Sequence, residues 1–468
     1  MQFLTIWDFI LPPFYLGIIY FFARSIQKKN IAKIPEYKYF IWGLYAKIIG
    51  GIGVVLVYCF YYGGGDTIGY FEGSNYTANL LSVDPNAYFS IIAGNLTPEN
   101  WSAYTVDTGY PMYYKDFTSF SVIRFTSIIT FFGAKSFMVT TMLVAVVTFP
   151  GIWRLFLLFK EEFPELSRNM AIAILFMPSV AFWGSAILKD AYTLSAAAWL
   201  LVATHQIFIK NRKIFINIII VIVSIYVLIS LKPYIFFAVF MGILIMLTHF
   251  WIKRIKAPVL RAVVLPLLFI FLWVGGTLFM LRMGSTAGGA YEDVDSMLHK
   301  AKVTQEDLKT SERYGENTFD IGSFEATPTG MIKKAPLAME AGLFRPYLWE
   351  CTNPVMLISG IENTFLLLIF FYVFLLSMVA VFKIGPSYMV KTMYDNSLVI
   401  FAMVFAFSFA FFIGLTTANF GALVRYKIPL IPFLVSALFI IIRKYNIDQD
   451  DKKAKEAALP SHFKRVKR

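Results

Sequence analysis

The sequence predicts an all-α fold: a polytopic transmembrane helix bundle of about eleven spans, with two loop caps on its outer side. Three observations predict it. The 468-residue chain is 58% hydrophobic and only 15% charged, with a mean hydropathy of +0.65, more apolar side chain than a soluble core can hide. Apolar runs of about 20 residues, the length that crosses a bilayer, recur along it. The lysines and arginines behind the net charge of +13 sit in short clusters between those runs, which is the positive-inside pattern and not a nucleic-acid footprint.

The first run, 4–23, is followed by Arg24, Lys28, Lys29 and Lys33. Basic residues after the run, with no small-residue cleavage site, do not make a secretory signal peptide. The second run, 40–62, ends in Gly63-Gly64-Gly65-Asp66 and completes an N-terminal pair of spans over 1–62. Residues 63–135 read as an outer loop with interfacial helices. Within it 118–132 is apolar but carries Arg124 at its centre, which suits a helix lying along the outer interface. Residues 136–282 read as six spans: 136–159, 169–186, 190–209, 214–231, 234–252 and 259–281. Their turns fall near Trp183-Gly184-Ser185 and at Lys232-Pro233. A large outer loop follows over 283–354, with a short helix near 291–313. Three spans, 356–382, 396–415 and 421–442, fill 355–442, and 443–468 is a charged cytoplasmic tail.

Loop charge sets the topology. With the clusters at 24–38, 160–168, 210–213, 253–261, 383–391 and the tail in the cytoplasm, eleven spans place the N-terminus outside and the C-terminus inside. If 118–132 crosses as a twelfth span, one half inverts relative to the clusters. No internal repeat of the kind found in many secondary transporters is visible. Cys59 and Cys351 make no framework, and His205, His249, His299 and His462 show no ligand spacing, so no metal is assigned from them.

Asp66, in GGGDTIGYF, is the candidate catalytic carboxylate. Three glycines let the backbone turn sharply and approach a ligand. An N-cap at the start of the next helix is the structural alternative, and the two are compatible. Glu72, Asp107 and Asp116 are weaker acidic candidates. A set of cations runs against the charge bias: Lys189, Lys232, Arg282, Arg345, Arg425 and Lys427 all fall near outer span ends. Each alone suits an interfacial anchor. Together they suit an anion, with Asp190 partly compensating Lys189. Glu350 and Glu362 stand just before and inside the run 356–382, where a carboxylate needs a partner such as Arg345 or Arg425. Tyr58, Phe60, Tyr61, Tyr62, Trp183, Tyr347 and Trp349 suit an aromatic belt and would also stack on sugar rings.

The arrangement resembles the GT-C class of membrane glycosyltransferases, which use polyprenyl-phosphate-linked sugars. Asp66 opens the first large outer loop, interfacial helices over 68–82 and 118–132 follow it, and a late span carries Arg425 and Tyr426, then Pro429 and Pro432. The chain departs from the class in two ways. An extra span precedes the acidic loop, and no Asp-x-Asp or Asp-Glu pair stands at GGGDTIGY, so no cofactor is assigned and a divalent cation stays open. The resemblance implies a multi-pass protein of the bacterial inner membrane that takes a polyprenyl-phosphate-linked sugar from the bilayer and a glycan or lipid acceptor from outside. The cations would hold the phosphate and a carboxylate would deprotonate the acceptor hydroxyl. A polysaccharide polymerase or ligase of the O-antigen type has the same bulk properties. A lipid-linked glycan transporter or flippase would instead show broken helices near the midplane and polar residues deep in several spans.

Overall fold

The computed structural model describes residues 3–255, 294–310, 317–325, 327–386, 388 and 395–458. The expected span 259–281 and Arg282 lie outside the described residues. What is described is helical, with one isolated backbone bridge between Thr318 and Asn419.

The helices, numbered in chain order, are α1 (Trp7–Ile31), α2 (Phe40–Leu56), α3 (Asp66–Val83), α4 (Pro85–Ala93), α5 (Pro98–Ser102), α6 (Phe117–Phe132), α7 (Phe137–Glu162), α8 (Ser167–Leu175), α9 (Pro178–Trp183), α10 (Lys189–Phe208), α11 (Ile214–Leu231) and α12 (Pro233–Ile252). After the break come α13 (Val294–Thr310), α14 (Pro328–Lys333), α15 (Ala335–Phe344), α16 (Pro354–Ile384), α17 (Ser397–Thr416), α18 (Phe420–Tyr426) and α19 (Ile431–Ala458).

Among the described residues seven helices are long and apolar enough to cross a membrane, and eight spans result if α18 and α19, bent by 64°, count as one. This is a multi-pass helical membrane protein. Two other expected spans take different forms. Segment 169–186 is not continuous: α8 ends at Leu175, Met177 is extended, and α9 begins at Pro178. Proline disfavours helical geometry in the residue before it, which explains the break. Segment 190–209 is one helix, α10, but it is rich in Ala, Ser and Thr and buried on nearly all sides. It stands inside the bundle against α7, α11 and α12, so its surface faces protein and need not be strongly apolar. The α18–α19 bend falls at Lys427–Leu430, where Pro429 removes a helix donor.

Glycines set the closest crossings. A Cβ at Gly414 of α17 would stand 1.8 Å from the Ala338 carbonyl, and one at Gly342 of α15 would stand 2.1 Å from that of Ala410. On α2, a Cβ at Gly50 would meet the Ala181 carbonyl at 2.0 Å. Small residues let helix backbones approach, which is how helices associate where no water drives them together.

Charge pairs gather the helix ends. Lys160 bonds Glu36 at 3.0 Å, Lys210 bonds Glu162 at 2.6 Å, and Arg212 bonds Glu161 at 3.0 Å. Lys253 and Lys444 share Asp395. The basic segments expected on one side of the membrane thus come together in two groups, 24–38 with 160–168 and 210–213, and 253–261 with the tail. The other end of α10, about 30 Å away for a 20-residue helix, carries Lys189 and Asp190.

The segment 63–135 folds on that second end. Helices α3 and α6, which cover the expected helices 68–82 and 118–132, pack side by side. Arg124 is fully buried in α6. It donates to the Ile92 carbonyl at the end of α4, at 2.8 and 3.2 Å, and to Tyr226 at 2.6 Å. It therefore satisfies the last carbonyls of a helix, a role that suits a cation. From the later loop, Phe319 and Asn317 pair with Ala418 and Phe420 and hold the start of α18 in place.

Candidate functional site

Charged side chains from α3, the cap of α6, α10, the α11–α12 link and α18 come to one place. After α2 the helix widens to a π-helical turn over Val57–Tyr62 that turns the Tyr58 ring inward. The three glycines follow with φ of 65°, 159° and 123°. Gly65 is required twice. Its φ belongs to the region that favours glycine, and a Cβ there would lie 2.7 Å from the Tyr58 ring. Asp66 is the first residue of α3, with Gly65 at the N-cap and no side-chain capping bond. The carboxylate turns instead to Arg425 of α18, with Oδ2 accepting from Nη1 at 3.2 Å. The same nitrogen donates to the Tyr58 hydroxyl at 3.1 Å.

Behind this pair lies Asp190, fully buried at the start of α10. It forms a salt bridge with Lys232, the residue between α11 and α12, and its other oxygen is 3.6 Å from Arg425 Nη2. Lys232 also sits 4.5 Å from the Tyr426 ring centroid. Trp183 underlies the Arg425 guanidinium at 5.9 Å. Lys189 donates to Thr118 Oγ1 at 2.8 Å and, among the described residues, has no carboxylate within ion-pair distance. Thr118 in turn bonds Asp116, which caps α6 by accepting from the Thr118 and Ser119 amides at 3.0 and 3.3 Å. Burial works against ionisation of Asp116, but the hydroxyls of Ser119 and Thr118 and the charge of Lys189 outweigh it and hold its pKa below the usual carboxylate value.

Lys189, Lys232 and Arg425 thus meet Asp66, Asp190 and Asp116 in a network without excess charge. Asp66 is the accessible acid of the central pair, with 43% of its side chain exposed against none for Asp190. Arrayed donors beside a half-exposed carboxylate can bind a polar headgroup and remove a proton from a hydroxyl.

No family model, curated protein or solved structure matches this chain.

The remaining expected residues form a neighbouring group. Arg345 pairs with Glu350 and lies 4.9 Å from the Phe319 ring centroid and 5.3 Å from that of Phe420. Lys427, two residues beyond Arg425, is buried and donates to the Arg345 carbonyl at 3.1 Å and to Asn363. Glu362 bonds neither Arg345 nor Arg425; it accepts from the amide of Ser179 at 2.8 Å and from its hydroxyl. Arg345 therefore does not share the Asp66 site. Among the described residues no group of three or more His, Cys, Asp or Glu side chains could hold a metal ion. The acids of the network are each engaged with cations or hydroxyls, so they form no ready donor set for a divalent cation.

Asp190 is the residue that sequence reasoning undervalued. Lys189 stands beside it, and the sequence assigns Asp190 only a partial compensation of that charge. Adjacent residues on a helix do not face each other, so the carboxylate turns inward to Lys232 and Arg425 instead. The signal was an acid at a helix start within a mostly apolar stretch, preceded by Ala186, Ile187 and Leu188.

Proposed function

We propose that the chain is a membrane glycosyltransferase that moves a sugar from a polyprenyl-phosphate donor to an acceptor on the outer face of the inner membrane, in cell-surface glycan assembly. The observation that carries this reading is the Asp66–Arg425 pair at the rim of a buried charge network. In this reading Lys189, which has no ion-pair partner among the described residues, and Arg425 receive the donor phosphate and stabilise the charge that builds on it as the glycosidic bond breaks. Asp66, released from Arg425, takes the proton of the acceptor hydroxyl as that oxygen bonds to the anomeric carbon. A polymerase or ligase of lipid-linked glycans would use the same groups with a longer acceptor.

The test is Asp66→Asn, which keeps the size and removes the basicity. Purified variant and wild type are incubated with polyprenyl-phosphate sugars and a glycan acceptor. The variant is expected to bind the donor and to lose at least about 100-fold in transfer. Normal transfer by the variant removes Asp66 from the mechanism.

One observation favours a second reading, a lipid-linked glycan transporter. Two discontinuous segments, α8–α9 and α18–α19, pack together; Lys427 is buried at the break of the second, and the buried side chains of Lys47 and Glu362 bond the first from α2 and α16. Donor-independent movement of labelled lipid across vesicles, with no transfer to acceptor, would select it.

A further inference from the structure

Trp183 is the last residue of α9, a helix of six residues with a break on either side. So short a helix has no stability of its own. Yet Trp183 is buried, stacked edge-on to Tyr58 at 6.5 Å and set beneath Arg425 at 5.9 Å. Two buried ionisable side chains hold the segment at its two ends. Glu362 of α16 grips the amide and hydroxyl of Ser179. Lys47 of α2 donates to the carbonyl of Gly184. Among the described residues neither makes an ion pair within hydrogen-bonding range. Between them α9 rests on the bare Gly50–Gly51 face of α2.

An ionisable side chain at membrane depth is costly to desolvate, and an apolar group of similar volume packs at lower cost. Bundle stability alone therefore does not account for one such group at each end of the same short helix. We infer that Lys47 and Glu362 are positioning residues: together they fix α9 so that Trp183 holds the Arg425 guanidinium toward Asp66. This concerns the geometry of the site and stands under either reading of its function.

The test uses the full chain in lipid nanodiscs. Emission of each protein is measured with and without Trp183→Phe, so that the difference isolates Trp183. Acrylamide quenching of that difference is compared for wild type, Lys47→Met, Lys47→Arg, Glu362→Gln and Ser179→Ala. Lys47→Met and Glu362→Gln are expected to raise it about twofold as α9 loosens locally. Ser179→Ala should raise it less, Lys47→Arg should restore the wild-type value, and the thermal midpoint of Lys47→Met should equal or exceed that of wild type. Unchanged Trp183 quenching after charge removal overturns the inference. So does a rise shared by the other tryptophans together with a falling midpoint, because both charges then serve general stability. If Lys47→Met does not fold, Ser179→Ala decides, since it keeps both charges and removes one hydrogen bond: a more accessible Trp183 supports the inference, and wild-type quenching overturns it.

Discussion

Asp66 and Arg425, 359 positions apart in the chain, form an ion pair of 3.2 Å. One opens α3 and the other lies in the last turn of α18, so the pair exists only when an early and a late helix of the bundle are both in place. Arg425 serves Tyr58 and Asp190 with the same guanidinium. Lysine offers a compact ammonium that does not reach three partners in a fixed fork. Arg425→Lys is therefore expected to lower transfer at least about 10-fold while the protein still folds. Wild-type rates in the variant would leave Arg425 as a structural tie only.

Asp190 and Lys232 make the buried pair behind it. Removing one member leaves the other charge uncompensated, which costs about 3–5 kcal/mol. Asp190→Asn and Lys232→Met should each lower unfolding stability by about that much, and the double variant should recover a large part of the loss. Denaturant titration of all four proteins in one lipid mixture completes the cycle. Additive losses would show that the pair contributes no coupling.

The α15–α17 crossing has almost no space at Gly414, where a Cβ would stand 1.8 Å from a backbone carbonyl. Gly414→Ala must push the two helices apart and is expected to cost about 1–3 kcal/mol or to prevent assembly. Gly17→Ala is the control, because a Cβ there has nothing within 4 Å. It should be neutral or slightly stabilising, by up to about 1 kcal/mol. Equal melting of the two variants would contradict the close crossing.

The charge clusters predict which ends of the helices face the cytoplasm. Single cysteines placed at Asn30 and Asn211, in a background lacking Cys59 and Cys351, should react with an impermeant maleimide only after the membrane is opened. A cysteine at Thr310 should react in intact cells. The opposite pattern would invert the bundle and move the Asp66 site to the cytoplasmic face.

The long apolar runs made the helical bundle legible, because period and length alone mark a span. Loop charge made the grouping of ends legible: Glu36, Lys160, Lys210 and Arg212 do meet. The break in 169–186 was visible only in Pro178, and the unusual composition of α10 followed from a location that no local pattern reports. At the site, the residue types stood out at span ends, but their partners did not. The outlying cations looked as if gathered for an anion, whereas Lys232, Arg345 and Arg425 each have a carboxylate of their own. Such pairs join segments hundreds of residues apart and depend on which helices are neighbours. Arg124 shows the same limit, since its acceptor, the Ile92 carbonyl, is a backbone atom exposed only by where α4 stops.

The span of sequence between Asp66 and Arg425 also has a meaning in time. At the usual pace of synthesis, about 5–20 residues per second, 359 residues correspond to roughly 20–70 s between the appearance of the acid and of its arginine. Throughout that interval the nascent chain carries Asp66 without its counter-charge, and from the appearance of Lys232 until that of Arg425 the Asp190 carboxylate has only Lys232. A chain that stops before α18 therefore has the acid of the site without the arginine that pairs with it.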